Sequence, residues 1–166
     1  MKKLILLRGN SGSGKTTVAK ALQNKFGSNT MRLSHDVIRM DLLHVWGREG
    51  IEKSQPLMME LLKYGHDNSA VTILEGILPA REYGELFSLA EELYGENIFA
   101  YYYDLPFEET LRRHKFKPNC CEFGEAEMRR WWREKDFLPN IHEEMLDSEI
   151  SAEDAVERIF RDVVSA

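Results

Sequence analysis

Hydrophobic positions fall in short runs separated by longer amphipathic stretches along most of the chain. The runs at 4–7, 71–74 and 98–103 are long enough only for buried strands. The stretches at 15–26 and 82–94 follow a helical period, and a glycine, which commonly ends a helix, comes directly after each. Strands that alternate with amphipathic helices are typical of β/α units and a parallel sheet.

Weaker patterns predict the remaining elements. Further strands are expected at 31–33 and near 145–146, and further helices at 36–45, 55–64, 107–114 and 125–137, with a last helix opened by a capping-box-like stretch at 151–154. Right-handed crossovers would place helices on both sides of the sheet. The sequence therefore predicts an α/β fold with three layers, α/β/α, in a single domain over residues 1–166.

One motif between the first strand and the first helix points to nucleotide binding. Residues 9–16 match G-x-x-x-x-G-K-[ST] in full. In such a loop backbone N–H groups surround phosphate oxygens, the lysine reaches the β- and γ-phosphates, and the hydroxyl binds Mg²⁺. The predicted cofactors are therefore ATP and Mg²⁺. The predicted nucleotide-binding residues are Gly9, Asn10, Ser11, Gly12, Ser13, Gly14, Lys15, Thr16 and Thr17.

Two acidic residues follow predicted strands, at the edge where parallel α/β sheets bind ligands. Asp36 comes after the second strand, where a carboxylate can accept the proton of an attacking hydroxyl, and it is also a candidate metal ligand. Arg39, one helical turn further, can hold the acceptor or the transferring phosphoryl group. Glu75 ends an apolar strand, as a Walker B acid does, so the predicted metal ligands are Thr16, Glu75 and Asp36.

A third group of candidate residues is basic. The segment 112–117 and three later arginines lie within a predicted helix–loop–helix at 107–137, which has the form of a lid. A lid carries cations over the phosphates and excludes water that would otherwise take the phosphoryl group. Arg113 and Arg129 are predicted to contact phosphate and to act in catalysis together with Lys15.

Charge and composition argue against several other classes of protein. The net charge of −6 argues against a long nucleic-acid footprint, although a site for a strand end needs few phosphate contacts. The apolar run that stops at Arg8 is too short for a signal segment or a membrane span, so a cytoplasmic protein without a membrane partner is predicted. Cys120 and Cys121 are predicted to be free thiols. The N-K-x-D sequence of GTPases and the L-S-G-G-Q sequence of transporter ATPases are absent.

With these features in place, the sequence resembles the small P-loop kinases of the nucleoside- and nucleotide-kinase-like group. Within that group it is similar to short bacterial uridine-kinase-like proteins, which are related to polynucleotide 5′-kinases, zeta-toxin-like kinases and chloramphenicol phosphotransferases. The resemblance lies in residues 9–16, 34–39, 73–76, 104–114 and 122–132. It implies a P-loop NTPase fold with a five-stranded parallel sheet of order 2-3-1-4-5, Asp36 as base, Lys15 and lid arginines on phosphates, and magnesium near Thr16 and Glu75.

The predicted function is an ATP- and Mg²⁺-dependent kinase that transfers the γ-phosphate to a hydroxyl of a small-molecule acceptor, with a nucleoside such as uridine as the first candidate. Other acceptors stay open, namely an antibiotic or sugar-nucleotide and the 5′-hydroxyl of a nucleic acid. A non-enzymatic, ATP-gated binding module is a further alternative. Turnover separates these classes, because a kinase is stimulated by its acceptor whereas a switch hydrolyses ATP slowly whatever is added. The oligomeric state stays open.

Overall fold

The computed structural model describes residues 1–117 and 120–166. Its strands are β1 (Lys3–Gly9), β2 (Thr30–Ser34), β3 (Val71–Gly76), β4 (Ile98–Tyr103) and β5 (Glu143–Leu146). Its α-helices are α1 (Lys15–Phe26), α2 (Gly47–Asn68), α3 (Gly84–Tyr94), α4 (Phe107–His114), α5 (Glu125–Trp131) and α6 (Ala152–Ser165). A π-helical segment spans Val37–Leu42, and a short 3-10 turn spans Gly95–Asn97.

The sheet has the order β2-β3-β1-β4-β5, and every neighbouring pair of strands is parallel. The central strand β1 is buried on both faces. Its residues Leu4 and Leu6 pack in one core with α2 and α3, and Ile5 and Leu7 pack in a second core with α1 and α6. Because side chains alternate along a strand, this division gives three layers, as predicted. The predicted fold class and strand order are confirmed.

The segment after β2 differs from the predicted helix at 36–45. It forms a π-helix, in which the N–H of Leu43 donates to the carbonyl of Ile38 at 3.0 Å, and the chain then turns at His44 with a φ of 54°. Ile38 is buried, whereas the apolar residues Val37 and Met40 of the same segment are exposed. The i→i+5 hydrogen bond widens the turn, so a spacing of three to four residues no longer marks one face.

Helix α2 begins at Gly47 and ends at Asn68, so it is longer than the predicted helix at 55–64. Pro56 therefore lies inside the helix and not in its first turn. Proline removes one hydrogen bond from a helix and usually marks a boundary. The two i,i+4 ion pairs within residues 48–53, at 2.8 and 2.6 Å, are exposed and contribute little. Ser54 and Met58, on either side of the proline, are fully buried, so packing against the core holds the helix through Pro56.

Helix α5 ends at Trp131, earlier than the predicted end at 137. The reason is the side chain of Asn10, which lies in the loop between β1 and α1. Nδ2 of Asn10 donates to the Arg133 carbonyl at 2.7 Å, and Oδ1 of Asn10 accepts the Arg133 N–H at 2.8 Å. Because both backbone groups of Arg133 bind Asn10, they cannot continue the helix, and Trp132 is already extended.

Two predicted helix boundaries are confirmed in detail. Helix α1 ends at Gly27, whose φ of 79° favours glycine. Helix α6 begins after Ser151, whose Oγ accepts the N–H of Asp154 at 3.0 Å and donates to the Asp154 carboxylate at 2.7 Å. The shorter Asp side chain thus binds the serine hydroxyl, where Glu in a capping box would bind the backbone N–H. In the described part of the chain, no helix is long and apolar enough to cross a membrane.

The sheet order brings the predicted site residues to one edge. Strands β2, β3 and β1 are neighbours, and Glu75 pairs in register with Ser34 on one side and Leu7 on the other. Since all three strands run in the same direction, the loops after Gly9, Ser34 and Gly76 leave from the same end of the sheet.

Candidate active site

The loop between β1 and α1 fits tightly against the helices that follow β4. Gly12 has a φ of 84°, and a Cβ atom there would lie 2.5 Å from the Thr110 carbonyl oxygen and 3.0 Å from Cε of Met128. Gly14 has a φ of 100°. Glycine is therefore required in this loop both for its backbone conformation and for its contact with α4 and α5.

Lys15 is buried beneath the loop, at 7% exposure. Its Nζ donates to the Asn10 carbonyl at 2.8 Å and to Oγ of Ser13 at 3.1 Å. Burial lowers the pKa of Lys15 to about 8, and the nearby Glu75 carboxylate opposes that shift only in part. The loop thus holds a cation on its inner side, where a phosphate can replace the loop oxygens as partner.

Thr16 and Glu75 form a pair of oxygen ligands. The Thr16 hydroxyl lies 3.1 Å from both carboxylate oxygens of Glu75, which is 2% exposed. Arg32 of β2 approaches the same carboxylate at 3.5 Å. A hydroxyl and a carboxylate are hard oxygen donors that suit Mg²⁺, which usually keeps several waters as further ligands. In residues 1–117 and 120–166 no group of three or more His, Cys, Asp or Glu side chains is placed to hold a metal ion.

Asp36 lies directly after β2, and its side chain is 59% exposed. Its neighbour His35 is buried, and burial lowers the pKa of His35 to about 4, so the imidazole is neutral near pH 7. Nδ1 of His35 lies 3.8 Å from Oδ1 of Asp36, and Nε2 of His35 lies 2.6 Å from the Tyr83 hydroxyl. The carboxylate therefore stands between open solvent and a buried polar group.

Arg39 packs against helix α2 at Gly50. A Cβ atom at Gly50 would lie 2.9 Å from both Nε and Nη2 of Arg39, so the guanidinium fits the space that glycine leaves. Its Nε is buried and has no hydrogen-bond partner among the described residues. A fixed guanidinium without a carboxylate partner can receive an anionic or hydroxyl-bearing group.

Of the two predicted lid arginines, the structure brings one to the loop. Nη1 of Arg113 donates to the Ser13 carbonyl at 2.9 Å, while Glu109 accepts from Nε of Arg113 at 2.6 Å. The guanidinium of Arg129 lies over the Phe107 ring at 4.2 Å and binds Glu125 of its own helix at 2.8 Å. Arg129 makes no hydrogen bond with the loop in the part of the chain described.

The remaining predicted nucleotide-binding residues differ in their surroundings. A cavity of about 340 Å³ opens beside the loop, and its walls include Gly14, Thr17, Arg113, Phe116 and Ile150. Its position next to the phosphate loop and its mixed lining suit a nucleoside. The Asn10 side chain makes two hydrogen bonds with the backbone of Arg133, a structural contact that the motif does not predict. The side chain of Ser11 forms no hydrogen bond within the described ranges.

Sequence reasoning did not select Lys117 as a site residue. Lys117 lines the cavity beside the loop. Burial lowers the pKa of Lys117, and the charges of Asp36 and Glu75 oppose that shift. The sequence offered only a run of basic residues at 112–117, and nothing in it distinguished Lys117 from its neighbours. The buried contact of His35 with Tyr83 was missed as well, because it joins two distant parts of the chain.

Comparison with protein families identifies one match. The model of a family described as an AAA domain matches residues 4–99, which include the loop, Asp36, Arg39 and Glu75. No curated protein matches the sequence.

Solved structures with the same fold include several kinases. A gluconokinase from Sinorhizobium meliloti 1021 superposes with a TM-score of 0.70 at 14% identity, over 98% of this chain and 92% of that one. Mycobacterium tuberculosis APS kinase, in complex with AMPPNP and APS, gives 0.67 at 16% identity, over 99% and 98%. The Deinococcus radiodurans tunicamycin resistance protein gives 0.65 at 17% identity, over 98% and 96%. These likenesses establish the fold, and the narrower similarity to uridine kinases stays a prediction.

Proposed function

This chain belongs to the AAA domain family, and from that premise we propose that it is an ATP- and Mg²⁺-dependent phosphotransferase acting on a hydroxyl of a small-molecule acceptor. The observation that carries the proposal is the contact of the Thr16 hydroxyl with both carboxylate oxygens of Glu75, at 3.1 Å, beside the buried Lys15 of the loop. An anion-binding loop, a metal-binding acid and a second carboxylate at one edge are the parts that phosphoryl transfer requires. The kinase fold of the structural neighbours supports the same function.

The phosphate chain of ATP would bind along the loop at 9–16, with Lys15 on the β- and γ-phosphates and Arg113 at the Ser13 side. The nucleoside would occupy the cavity beside Thr17 and Phe116. Thr16 and Glu75, with Asp36 as a further candidate, would hold Mg²⁺, which neutralises charge that develops on the phosphate oxygens. The buried charge of Lys15 and the cavity beside the loop support these roles.

The acceptor would bind between Asp36 and Arg39. Asp36 orients the acceptor hydroxyl and takes its proton, and Arg39 holds the acceptor or the transferring phosphoryl group. Helices α4 and α5 would act as parts of a lid that excludes water, since they contact the loop through Thr110 and Met128. Arg129 could serve the phosphates only after a change in the position of its side chain.

The acceptor can be identified by a transfer screen with labelled Mg·ATP. The panel holds nucleosides including uridine, sugars and sugar acids, aminoglycoside and nucleoside antibiotics, and 5′-hydroxyl oligonucleotides. We expect one small-molecule class to stimulate ATP turnover and to become labelled. Stimulation by oligonucleotides alone, with steep salt dependence, would assign a polynucleotide kinase. Slow hydrolysis that no acceptor changes would contradict the proposal and favour an ATP-gated binding module.

The pH dependence of nucleotide binding follows from Lys15. Its pKa of about 8 in the free protein means that the ammonium is charged below that pH and neutral above it. A triphosphate stabilises the charged form, so binding above about pH 8 must take up a proton, and the Kd for Mg·ATP should rise with pH there. Calorimetry in two buffers of different ionisation enthalpy measures this uptake. Lys15→Arg, which stays charged, serves as the control, and a Kd of the native protein that is constant from pH 7 to about pH 9 would contradict the assignment.

A further inference from the structure

A chain of buried polar side chains leads from helix α2 to Asp36. Oγ of Ser54 lies 3.0 Å from the Tyr83 hydroxyl, which lies 2.6 Å from Nε2 of His35. The other ring nitrogen, Nδ1, lies 3.8 Å from Oδ1 of Asp36. Ser54 and Tyr83 are 0% exposed and His35 is 1% exposed. The mechanism above uses only Asp36, so these three buried groups need their own explanation.

The position of the imidazole is fixed by packing. A Cβ atom at Gly76 would lie 2.4 Å from Cβ of His35 and 3.2 Å from its Nδ1, so only glycine fits at the end of β3. The Tyr83 ring stands edge-on to the imidazole, at 4.9 Å between ring centres and an angle of 87°. The ring is therefore held between Gly76 and Tyr83.

Nδ1 of His35 is buried and has no hydrogen-bond partner among the residues that the structure describes. A buried polar group without a partner is costly, and such groups in native proteins often have a functional reason. The Asp36 carboxylate is more than half exposed, so it can turn toward the ring when the site fills. Catalytic hydrogen bonds are commonly long in the free enzyme and shorten in the substrate complex.

We propose that His35 is a positioning residue for Asp36, with its Nδ1–H donating to the carboxylate and holding it in the orientation that accepts the acceptor proton. This inference rests on the function proposed above. The direction of the hydrogen bonds supports this role. If Ser54 donates to the Tyr83 oxygen and Tyr83 donates to Nε2 of His35, the imidazole proton lies on Nδ1. The opposite order would direct a nitrogen lone pair at an ionised carboxylate, which is repulsive.

The first test is the tautomer of His35, read by NMR of nitrogen-labelled histidine in the nucleotide-free protein. The signal is assigned by its loss in His35→Gln. We expect the Nδ1–H form, and we expect that form to decrease in Tyr83→Phe, which removes the donor to Nε2. Tyr94→Phe is the matched control, because it removes a buried hydroxyl at the far end of α3, the helix that follows Tyr83; this hydroxyl donates to Oγ1 of Thr72 at 2.9 Å, away from the site. An Nε2–H tautomer in the native protein would overturn the inference.

The second test is a double-mutant cycle on turnover of Mg·ATP with water as the acceptor. Tyr83→Phe should lower kcat about 10-fold, the order of effect for an outer hydrogen bond to a reacting group, and leave KM for Mg·ATP unchanged. In an Asp36→Asn background the same substitution should have no further effect. A purely structural role would reduce turnover equally in both backgrounds, and so would overturn the inference.

Asp36→Asn and Tyr83→Phe distinguish the two assignments. If Asp36→Asn leaves turnover unchanged, Asp36 is not the base, and the positioning role of His35 fails with it. If Asp36→Asn lowers turnover strongly while Tyr83→Phe behaves as Tyr94→Phe does, the base assignment stands and only the role of His35 is lost. The transfer screen above decides separately whether the chain is a phosphotransferase.

Discussion

Asp36→Asn is expected to lower phosphoryl transfer to the acceptor by about 10²–10⁴-fold, the usual contribution of general-base catalysis. The amide keeps the size of the side chain but cannot accept the proton. Asp36 is exposed at the end of β2 and belongs to no packed core, so the fold should be unaffected. The affinity for Mg·ATP should stay near that of the native protein, because the loop at 9–16 supplies the phosphate contacts. Single-turnover transfer and calorimetry measure the two quantities separately.

A neighbouring carboxylate gives the matched control for this substitution. Asp41 lies on the π-helical segment that follows Asp36 and is exposed, so Asp41→Asn removes an equal charge without touching the proposed reaction. Its transfer rate should equal that of the native protein. Unimpaired transfer by Asp36→Asn would reject the base assignment. A defect that excess Mg²⁺ restores would assign Asp36 to the metal and contradict its role as the base.

Arg8→Met is expected to destabilise the fold by about 3–5 kcal/mol, because it leaves a buried carboxylate without its partner. Arg8 is 0% exposed, and its Nη1 donates to both oxygens of Glu143 at 2.9 and 3.0 Å. The same guanidinium donates to Asp136 at 2.9 Å and to the Leu78 carbonyl at 3.0 Å. Urea unfolding, followed by fluorescence, gives the change in the free energy of unfolding.

An exposed ion pair tests whether burial causes this effect. Lys25→Ala breaks the pair of Lys25 with Glu157 at 2.6 Å, whose side chains are 31% and 68% exposed, and should cost less than about 1 kcal/mol. The double variant Arg8→Met with Glu143→Leu should recover much of the loss, since it removes the uncompensated charge. Equal losses for Arg8→Met and Lys25→Ala would show that the buried network is not a main determinant of stability.

The sequence was sufficient where local patterns decide the structure. The strand at 98–103, the helix at 107–114 and the helix end at Gly27 were predicted because apolar runs, proline and glycine act on the backbone nearby. The phosphate-binding loop was predicted for the same reason, since its glycines and Lys15 lie within one short segment.

The sequence was insufficient where contacts between distant residues decide. Helix α5 stops because Asn10 binds the backbone of Arg133, which is 123 residues away. Gly50 leaves space for Arg39 and Gly76 leaves space for His35, and neither relation has a local pattern. The catalytic roles of Asp36, Glu75 and the lid arginines stay predictions, because the fold places these residues without showing what they do.

Calorimetric titration of the folded protein with ATP, with and without Mg²⁺, shows whether the loop between β1 and α1 binds a nucleotide. The loop at 9–16 should bind one nucleotide, with binding strengthened by Mg²⁺ and lost in Lys15→Met. The absence of any Mg²⁺-dependent binding of ATP or another nucleoside triphosphate would contradict the account.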